Sequence, residues 1–104
     1  KLPEMISPEN GLHAWHLFAP RFDFDKIGIS RKKVMLALAD QGIGSQVHYI
    51  PLYRQPYYQN QYTANSFSGA EEYYRQTLSL PMYYGLDDED IVKIAQIIGS
   101  VVNG

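Results

Sequence analysis

The sequence predicts a small α+β domain, with an antiparallel or mixed sheet and helices on one of its faces. Three short apolar segments suited to strands alternate with three segments of helical periodicity, so the order is strand, helix, strand, helix, strand, helix. The strand segments are too short, and their connections too irregular, for a doubly wound parallel sheet. The 104 residues, 45% of them hydrophobic, suffice for one core and one domain.

The first predicted strand covers residues 13–22 and is apolar in both alternation phases, so it needs cover on two sides. Pro20 cannot donate a backbone hydrogen bond and should lie at an edge, an end or a bulge. Residues 1–12 are typical of an extended linker that leads into the domain at residues 13–104, and we expect the chain to be a piece of a longer protein. Since helices on one side leave the other face open, we also expect an exposed apolar surface around Trp15.

The first long helix is predicted from its two ends. Ser30 is a suitable N-cap for a helix that runs through Gln41, and Gly42 stands where a left-handed residue terminates a helix. A second strand is expected at residues 45–49, followed by irregular structure through residue 65.

The carboxy-terminal part predicts two more helices around a third strand. Ser68 and Glu71 have the spacing of a capping box, which predicts a helix of about ten residues from this point. Residues 78–81 are predicted as the third strand, and Asp87 as the N-cap of the last helix. The apolar positions of that helix repeat at helical spacing: Ile91, Ile94, Ala95, Ile98, Val101 and Val102.

Composition excludes several classes of function. The net charge is −2, and the basic residues cluster only at positions 31–33, so neither nucleic acid nor an anionic membrane is an expected partner. The absence of cysteine fits a reducing compartment. No apolar run approaches the roughly 20 residues of a membrane span. We therefore expect a soluble, cytoplasmic protein.

Metal and nucleophile sites are also not expected. His13, His16 and His48 are the possible metal ligands, but positions three apart on a strand point to opposite faces. The acidic run at residues 87–90 is explained by the positive end of a helix dipole. No serine lies in a Gly-x-Ser-x-Gly elbow, and residues 42–44 lack the third glycine of a phosphate-binding loop.

The segment at residues 42–58 is the candidate binding site. A glycine-rich turn leads into a short strand that delivers His48 and Tyr49 to a loop stiffened by two prolines. Imidazole, phenol, amide and guanidinium groups on such a loop suit recognition of a polar small molecule. The alternative is that the tyrosines of this segment form an aromatic lid over the core.

The same residues carry a family resemblance, which runs from about His13 to the C-terminus. It rests on Trp15-His16-Leu17-Phe18 with Arg21, Gly42-Ile43, His48-Tyr49 with Pro51-Leu52, Gln55-Pro56-Tyr57, Ala70-Glu71, and Leu78-Ser79-Leu80-Pro81 before an acidic cap. This succession resembles the carboxy-terminal small domain of the DegT/DnrJ-type nucleotide-sugar aminotransferases, which are pyridoxal-phosphate enzymes of the aspartate aminotransferase fold (fold-type I).

The resemblance implies a parent enzyme that moves an amino group, usually from glutamate, to a ketone on a nucleotide-linked deoxysugar. Its products would be used in cell-surface polysaccharide or deoxyaminosugar synthesis. The sequence Gln-Val-His-Tyr at residues 46–49 favours the branch of the family that aminates C4 of UDP-linked 4-keto-6-deoxy sugars. In such enzymes pyridoxal phosphate is held mainly by a large domain, which supplies the Schiff-base lysine and the acid at the pyridine nitrogen. The implied partners are that large domain and a second subunit of a homodimer.

By family position, His48 and Tyr49 face the active-site cleft. Tyr53, Arg54 and Gln55 come next for contacts with substrate or with a domain interface. None of the five lysines stands in the family's lysine context: Lys1, Lys26, Lys32, Lys33 and Lys93. The isolated chain is therefore expected to be inactive. Two alternatives are a stand-alone small-molecule binding module and an aminotransferase-fold protein that serves regulation or dehydration.

Overall fold

The computed structural model describes residues 1–4, 7–62 and 64–104. Four α-helices follow in chain order: α1 Phe24–Ile27, α2 Arg31–Asp40, α3 Ser68–Gln76 and α4 Asp88–Asn103. Short 3-10 helices occur at Pro8–Asn10, Leu52–Arg54 and Ala64–Phe67. The three long helices are those predicted from the sequence, whereas the single turn α1 is not.

The caps of α2 and α4 confirm the sequence prediction. The Ser30 hydroxyl accepts a hydrogen bond from the Lys33 backbone amide at 3.2 Å, and Gly42 beyond the helix end has a φ of +75°. The Asp87 carboxylate accepts one from the Asp90 amide at 2.9 Å. Each cap satisfies a backbone group that the helix itself leaves free.

The predicted capping box at the start of α3 is wrong. The N-cap position is Phe67, which has no side-chain cap bond, and Ser68 is already the first helical residue. Glu71 does not reach back to the helix start because its carboxylate binds Tyr53 and Arg54 instead. A hydrogen bond between two charged groups is stronger than one to a neutral backbone amide. The Glu71 carboxylate therefore binds Arg54 and not the amide at the start of its own helix.

The predicted sheet does not form in the part of the chain that the structure describes. Instead of strands there are three isolated antiparallel bridges: Phe18 with Leu80, Arg21 with Thr77, and Gln46 with Ser79. The segment at residues 77–80 therefore lies between the other two segments. The three segments predicted as strands do lie side by side, but each of them forms a bridge at only one to three positions.

Pro20 gives a physical reason for the broken pairing. The Leu78 amide donates to the Pro20 carbonyl at 3.2 Å, but proline has no N–H with which to return the second bond. On the far side the Phe22 amide donates to the Gln76 carbonyl at 2.9 Å, and the pairing stops there because Gln76 is the last residue of α3. An apolar strand pattern in the sequence thus ends as an interrupted ladder.

The core lies between α2, α4 and residues 77–80, which we call the central segment. Its buried members are Phe24, Val34, Leu38, Leu78 and Ile94. Helix α3 contributes no buried residue, so only two of the three predicted helices cover the central segment. Such a small core leaves many large apolar side chains exposed, among them Leu12, Leu36, Tyr57, Tyr84 and Val92.

An apolar groove of about 630 Å³ runs between α4 and residues 18–22. Phe18, Leu80 and Ile98 line it. Trp15, by contrast, is half-buried and stacks on His13 at a ring separation of 3.9 Å. The accessible apolar groove therefore lies along α4, and not around Trp15, where the sequence predicts the exposed surface.

The Thr77 hydroxyl is a buried polar group in the central segment. Thr77 is 1% exposed, and within the described residues its Oγ1 has no hydrogen-bond partner. Burial of an unpaired hydroxyl costs about 1 to 3 kcal/mol. We therefore expect Thr77→Val, which keeps the shape, to raise the free energy of unfolding by about 1 kcal/mol in urea titration of the 104-residue chain.

Thr77→Ser is the matched control because it keeps the hydroxyl and removes a buried methyl. It should lower the free energy of unfolding by about 1 kcal/mol. A lower urea midpoint for Thr77→Val than for the wild type would mean that the hydroxyl is paired after all.

Candidate functional site

His48 is fixed to the central segment two residues after the Gln46 bridge. Its Nδ1 lies 2.9 Å from the Ser79 hydroxyl oxygen. Gln46 and Ser79 exchange two backbone hydrogen bonds, at 3.1 and 2.8 Å, so the chain arrives at His48 in a defined register. The imidazole is half-buried, whereas Ser79 is only 4% exposed.

Tyr49 points away from this anchor. Its side chain is 75% exposed, and its ring meets the His48 ring edge-on at 4.8 Å. The peptide bond that joins the two residues is cis. An imidazole and a phenol therefore stand side by side at the surface, each with polar atoms available to a ligand.

Tyr53 and Arg54 are both fastened to Glu71 on α3. The Tyr53 hydroxyl donates to Glu71 Oε1 at 2.8 Å, and Arg54 Nε donates to the same oxygen at 2.7 Å. A second guanidinium nitrogen of Arg54 donates to Oε2, which makes the pair bidentate. Tyr53 also stacks on Phe67 at 4.6 Å. We call this three-residue arrangement the Glu71 clamp.

The Glu71 clamp shifts the pKa of its members in opposite directions. The hydrogen bond from Arg54, then that from Tyr53, holds the pKa of Glu71 below its usual value of 4.5. Burial, followed by the bond to Glu71, raises the pKa of Tyr53 above 10.0. At neutral pH the carboxylate is therefore charged and the phenol remains a donor.

Tyr74 extends the clamp toward α2. The Arg31 and Arg54 guanidinium groups stand 5.1 and 5.4 Å from its ring centre, which is the range of cation–π contact. Arg31 also donates to the carbonyls of Tyr74 and Thr77, the latter at 3.0 Å. A cation thus satisfies carbonyls at the end of α3, where the helix dipole favours positive charge.

Two cavities border these residues. A cavity of about 190 Å³ lies beside His48 and is lined by His16, Gln46 and Ser79. A larger one, of about 630 Å³, lies beside the clamp and is lined by Arg31, Arg54 and Glu71. Both cavities border side chains that already have partners, but His48 at the smaller one bonds only through Nδ1 within the described residues, so the smaller cavity is the better candidate for ligand contact.

The predicted site residues fall into two groups. His48 and Tyr49 form one, and the Glu71 clamp holds Tyr53 and Arg54 in the other. Gln55 lies at the end of the Leu52–Arg54 turn, where its backbone amide donates to the Leu52 carbonyl at 3.0 Å. Sequence reasoning missed Ser79 and Glu71 as anchors, since a serine within an apolar stretch and a glutamate in a helix's first turn have common local explanations.

The other candidate groups do not come together. His13 stacks on Trp15, whereas His16 and His48 line the small cavity. Among residues 1–4, 7–62 and 64–104, no group of three or more histidine or acidic side chains is arranged to hold a metal ion. No helix in this part of the chain has the length and apolar content needed to cross a bilayer.

The family of the chain follows from comparison with known proteins. The profile of the DegT/DnrJ/EryC1/StrS aminotransferase family matches residues 1–99. The chain therefore belongs to this family, and the resemblance inferred from the sequence is confirmed.

Two curated relatives illustrate the match. SpsC of Bacillus subtilis (strain 168), a spore coat polysaccharide biosynthesis protein, is 38% identical over an alignment of 110 residues, gaps included. The alignment covers 100% of this chain and 28% of SpsC. The uncharacterized protein MJ1066 of Methanocaldococcus jannaschii is 34% identical over 93 residues, which cover 88% of this chain and 24% of MJ1066. The chain thus spans about a quarter of the length of these relatives.

Solved structures give the same result for the fold. PseC of Helicobacter pylori, an aminotransferase involved in the biosynthesis of pseudoaminic acid, superposes with a TM-score of 0.72 at 27% identity. The match covers 85% of this chain and 24% of PseC. Spr1654 of Streptococcus pneumoniae in its PLP-form gives a TM-score of 0.71 at 27% identity, over 85% of this chain and 22% of Spr1654.

The lowered pKa of Glu71 predicts a dependence of stability on pH. A carboxyl whose folded-state pKa is depressed stabilises the fold above its unfolded-state pKa, and this contribution is lost as pH falls through the folded-state pKa. We expect Glu71→Gln to lower the melting temperature at pH 7, and the difference from wild type to shrink as pH falls below about 4.5. Thermal melts of the 104-residue chain from pH 7 to pH 3 measure this.

Glu72→Gln is the matched control in the same helix. Its carboxylate is 53% exposed and lies 3.9 Å from Arg21, so its removal should change the melting temperature little. Equal, pH-independent losses for the two variants would contradict the clamp.

Proposed function

We propose that this chain is the carboxy-terminal domain of a pyridoxal-phosphate-dependent aminotransferase. The substrate is a keto-deoxysugar linked to a nucleotide, glutamate is the amino donor, and the product serves cell-surface polysaccharide or deoxyaminosugar synthesis. The observation that carries the proposal is the family match over residues 1–99. The role of SpsC in polysaccharide biosynthesis and that of PseC in the biosynthesis of pseudoaminic acid support the substrate class.

We assign different roles at the substrate site to the five candidate residues of the loop. We assign direct contact with the substrate to His48 and Tyr49, since both present polar groups beside the small cavity or to solvent. Tyr53 and Arg54 contribute to the same cleft from positions fixed by Glu71, and Gln55 supplies an amide at its edge or at a domain interface. A loop held by such bonds presents its groups with little loss of conformational entropy on binding.

We infer that this chain alone does not supply the pyridoxal-phosphate site. All five lysines are exposed, and none lines the cavity beside His48. When bound, the cofactor acts as an electron sink for the amino-group transfer. On this proposal the cofactor is held by a large domain outside this chain. The 104-residue chain alone therefore has no transaminase activity.

The proposed partners follow from the same division. The large domain of the parent chain and the second subunit of a cytoplasmic homodimer would cover the apolar groove between α4 and residues 18–22. Exposed apolar area of this kind commonly marks an interface.

The proposal is tested with the full-length protein. Supplied with pyridoxal phosphate, glutamate and a UDP-linked 4-keto-6-deoxy sugar, it should form 2-oxoglutarate and the aminated sugar in equal amounts. Binding of the sugar without 2-oxoglutarate would favour the stand-alone binding module. Loss of water from the sugar without amination would favour a dehydratase.

In the full-length protein, we expect His48→Ala and Tyr49→Phe each to lower kcat/KM for the sugar. The loss of one positioned hydrogen bond corresponds to about 1 to 3 kcal/mol in kcat/KM. Tyr49→Phe should keep the melting temperature of wild type because this residue is exposed, and His48→Ala, which removes the partner of the Ser79 hydroxyl, should lower it only slightly. Steady-state kinetics and thermal melts on the same preparations measure both quantities.

Tyr84→Phe is the control, since this tyrosine is fully exposed on the turn before α4. It should leave kcat/KM unchanged. Wild-type kinetics in both loop variants, or a loss that only accompanies unfolding, would remove His48 and Tyr49 from the substrate site.

A further inference from the structure

We propose that Ser79 is a positioning residue that orients the His48 imidazole and sets which of its nitrogens carries the proton. On this assignment, Nε2 of His48 is a hydrogen-bond donor to an acceptor oxygen of the sugar. The inference rests on the substrate contact proposed for His48, and it adds the residue that orients the ring and the kind of atom that the ring recognises.

The Ser79 hydroxyl is the fixed member of the pair. Its residue is 4% exposed, and its backbone amide and carbonyl both bond to Gln46. On either side, Leu78 is fully buried and the Leu80 amide donates to the Phe18 carbonyl at 2.9 Å. His48 lies on a loop and is half-buried. The serine therefore determines the ring position, and not the reverse.

The tautomer follows from the hydrogen-bond inventory. Within the described residues, the one side-chain partner of the Ser79 hydroxyl is His48 Nδ1, at 2.9 Å. If Nδ1 carried the proton, the hydroxyl hydrogen would have no acceptor among the described side chains and would be left to water in the small cavity that Ser79 lines. The hydroxyl therefore donates to Nδ1. A neutral imidazole with Nδ1 as acceptor carries its proton on Nε2.

Among the described residues, no carboxylate stands beside the ring in the place of Ser79. In the described part of the chain, no acidic side chain lines the cavity of about 190 Å³ beside His48. A serine hydroxyl, and not a carboxylate, thus orients the imidazole. Since Nε2–H can only donate, the atom that it recognises is an acceptor, such as a hydroxyl or keto oxygen of a sugar.

The first test is spectroscopic and uses the full-length protein with 15N-labelled histidine. The His48 signals are assigned by their loss in His48→Ala. We expect the proton on Nε2 in the wild type, and a mixture of tautomers or ring orientations in Ser79→Ala. A proton on Nδ1 in the wild type, or an unchanged His48 spectrum in Ser79→Ala, overturns the inference.

The second test is a double-mutant cycle on kcat/KM for the sugar. Ser79→Ala should lower kcat/KM by about three- to tenfold, which is the usual net contribution of one hydrogen bond. If Ser79 acts through His48, the same change in a His48→Ala background should have no further effect. Thr77→Val is the matched control, because it removes a buried hydroxyl two residues away that has no partner among the described residues, and it should keep wild-type kinetics.

The outcomes separate this inference from the proposed function. A loss in His48→Ala together with wild-type kinetics in Ser79→Ala overturns the inference and leaves the proposed function intact. An equal loss from Ser79→Ala in both backgrounds also overturns it, because the serine would then act independently. Wild-type kinetics in His48→Ala overturns both.

Discussion

The fold depends on the burial of three successive residues, Thr77, Leu78 and Ser79, whose exposed fractions are 1%, 0% and 4%. In an extended segment consecutive side chains point to opposite sides, so this segment must be covered on two faces. Leu78 packs into the core with α2 and α4. Ser79 faces the other way and holds His48. The helices and the candidate loop are therefore both positioned relative to one short stretch of backbone.

Local features of the fold were predictable from the sequence. The caps at Ser30 and Asp87, and the left-handed Gly42, each depend on atoms within a few residues along the chain. The amphipathic pattern of α4 likewise placed Ile94 in the core. The family resemblance rested on short motifs of the same local kind.

The long-range features were not predictable in the same way. An apolar segment with Pro20 in it has the composition of a strand, but the missing N–H leaves only isolated bridges. Glu71 had the spacing of a capping box, yet its carboxylate is taken by Tyr53 and Arg54, 18 and 17 positions away. Ser79 and His48 are 31 positions apart. Which of several possible partners a polar side chain takes is decided by tertiary proximity, and local spacing does not encode it.

The candidate loop gains its order from two anchors on one side of the molecule. Ser79 holds it at His48, and the Glu71 clamp holds it at Tyr53 and Arg54. Between the anchors the chain exposes Tyr49, Ile50 and Leu52. We propose that this exposed stretch completes a cleft whose cofactor side is supplied by the remainder of the parent protein. The chain itself spans about a quarter of the length of its relatives.

Amide hydrogen exchange on the 104-residue chain tests most directly whether the central segment is the structural anchor. The Ser79 and Gln46 amides, which bond to each other's carbonyls, should exchange only when the core opens, with the same opening free energy as Leu38 in α2. Exchange of the Ser79 and Gln46 amides as fast as that of the exposed Tyr84 amide, while Leu38 stays protected, would contradict this account.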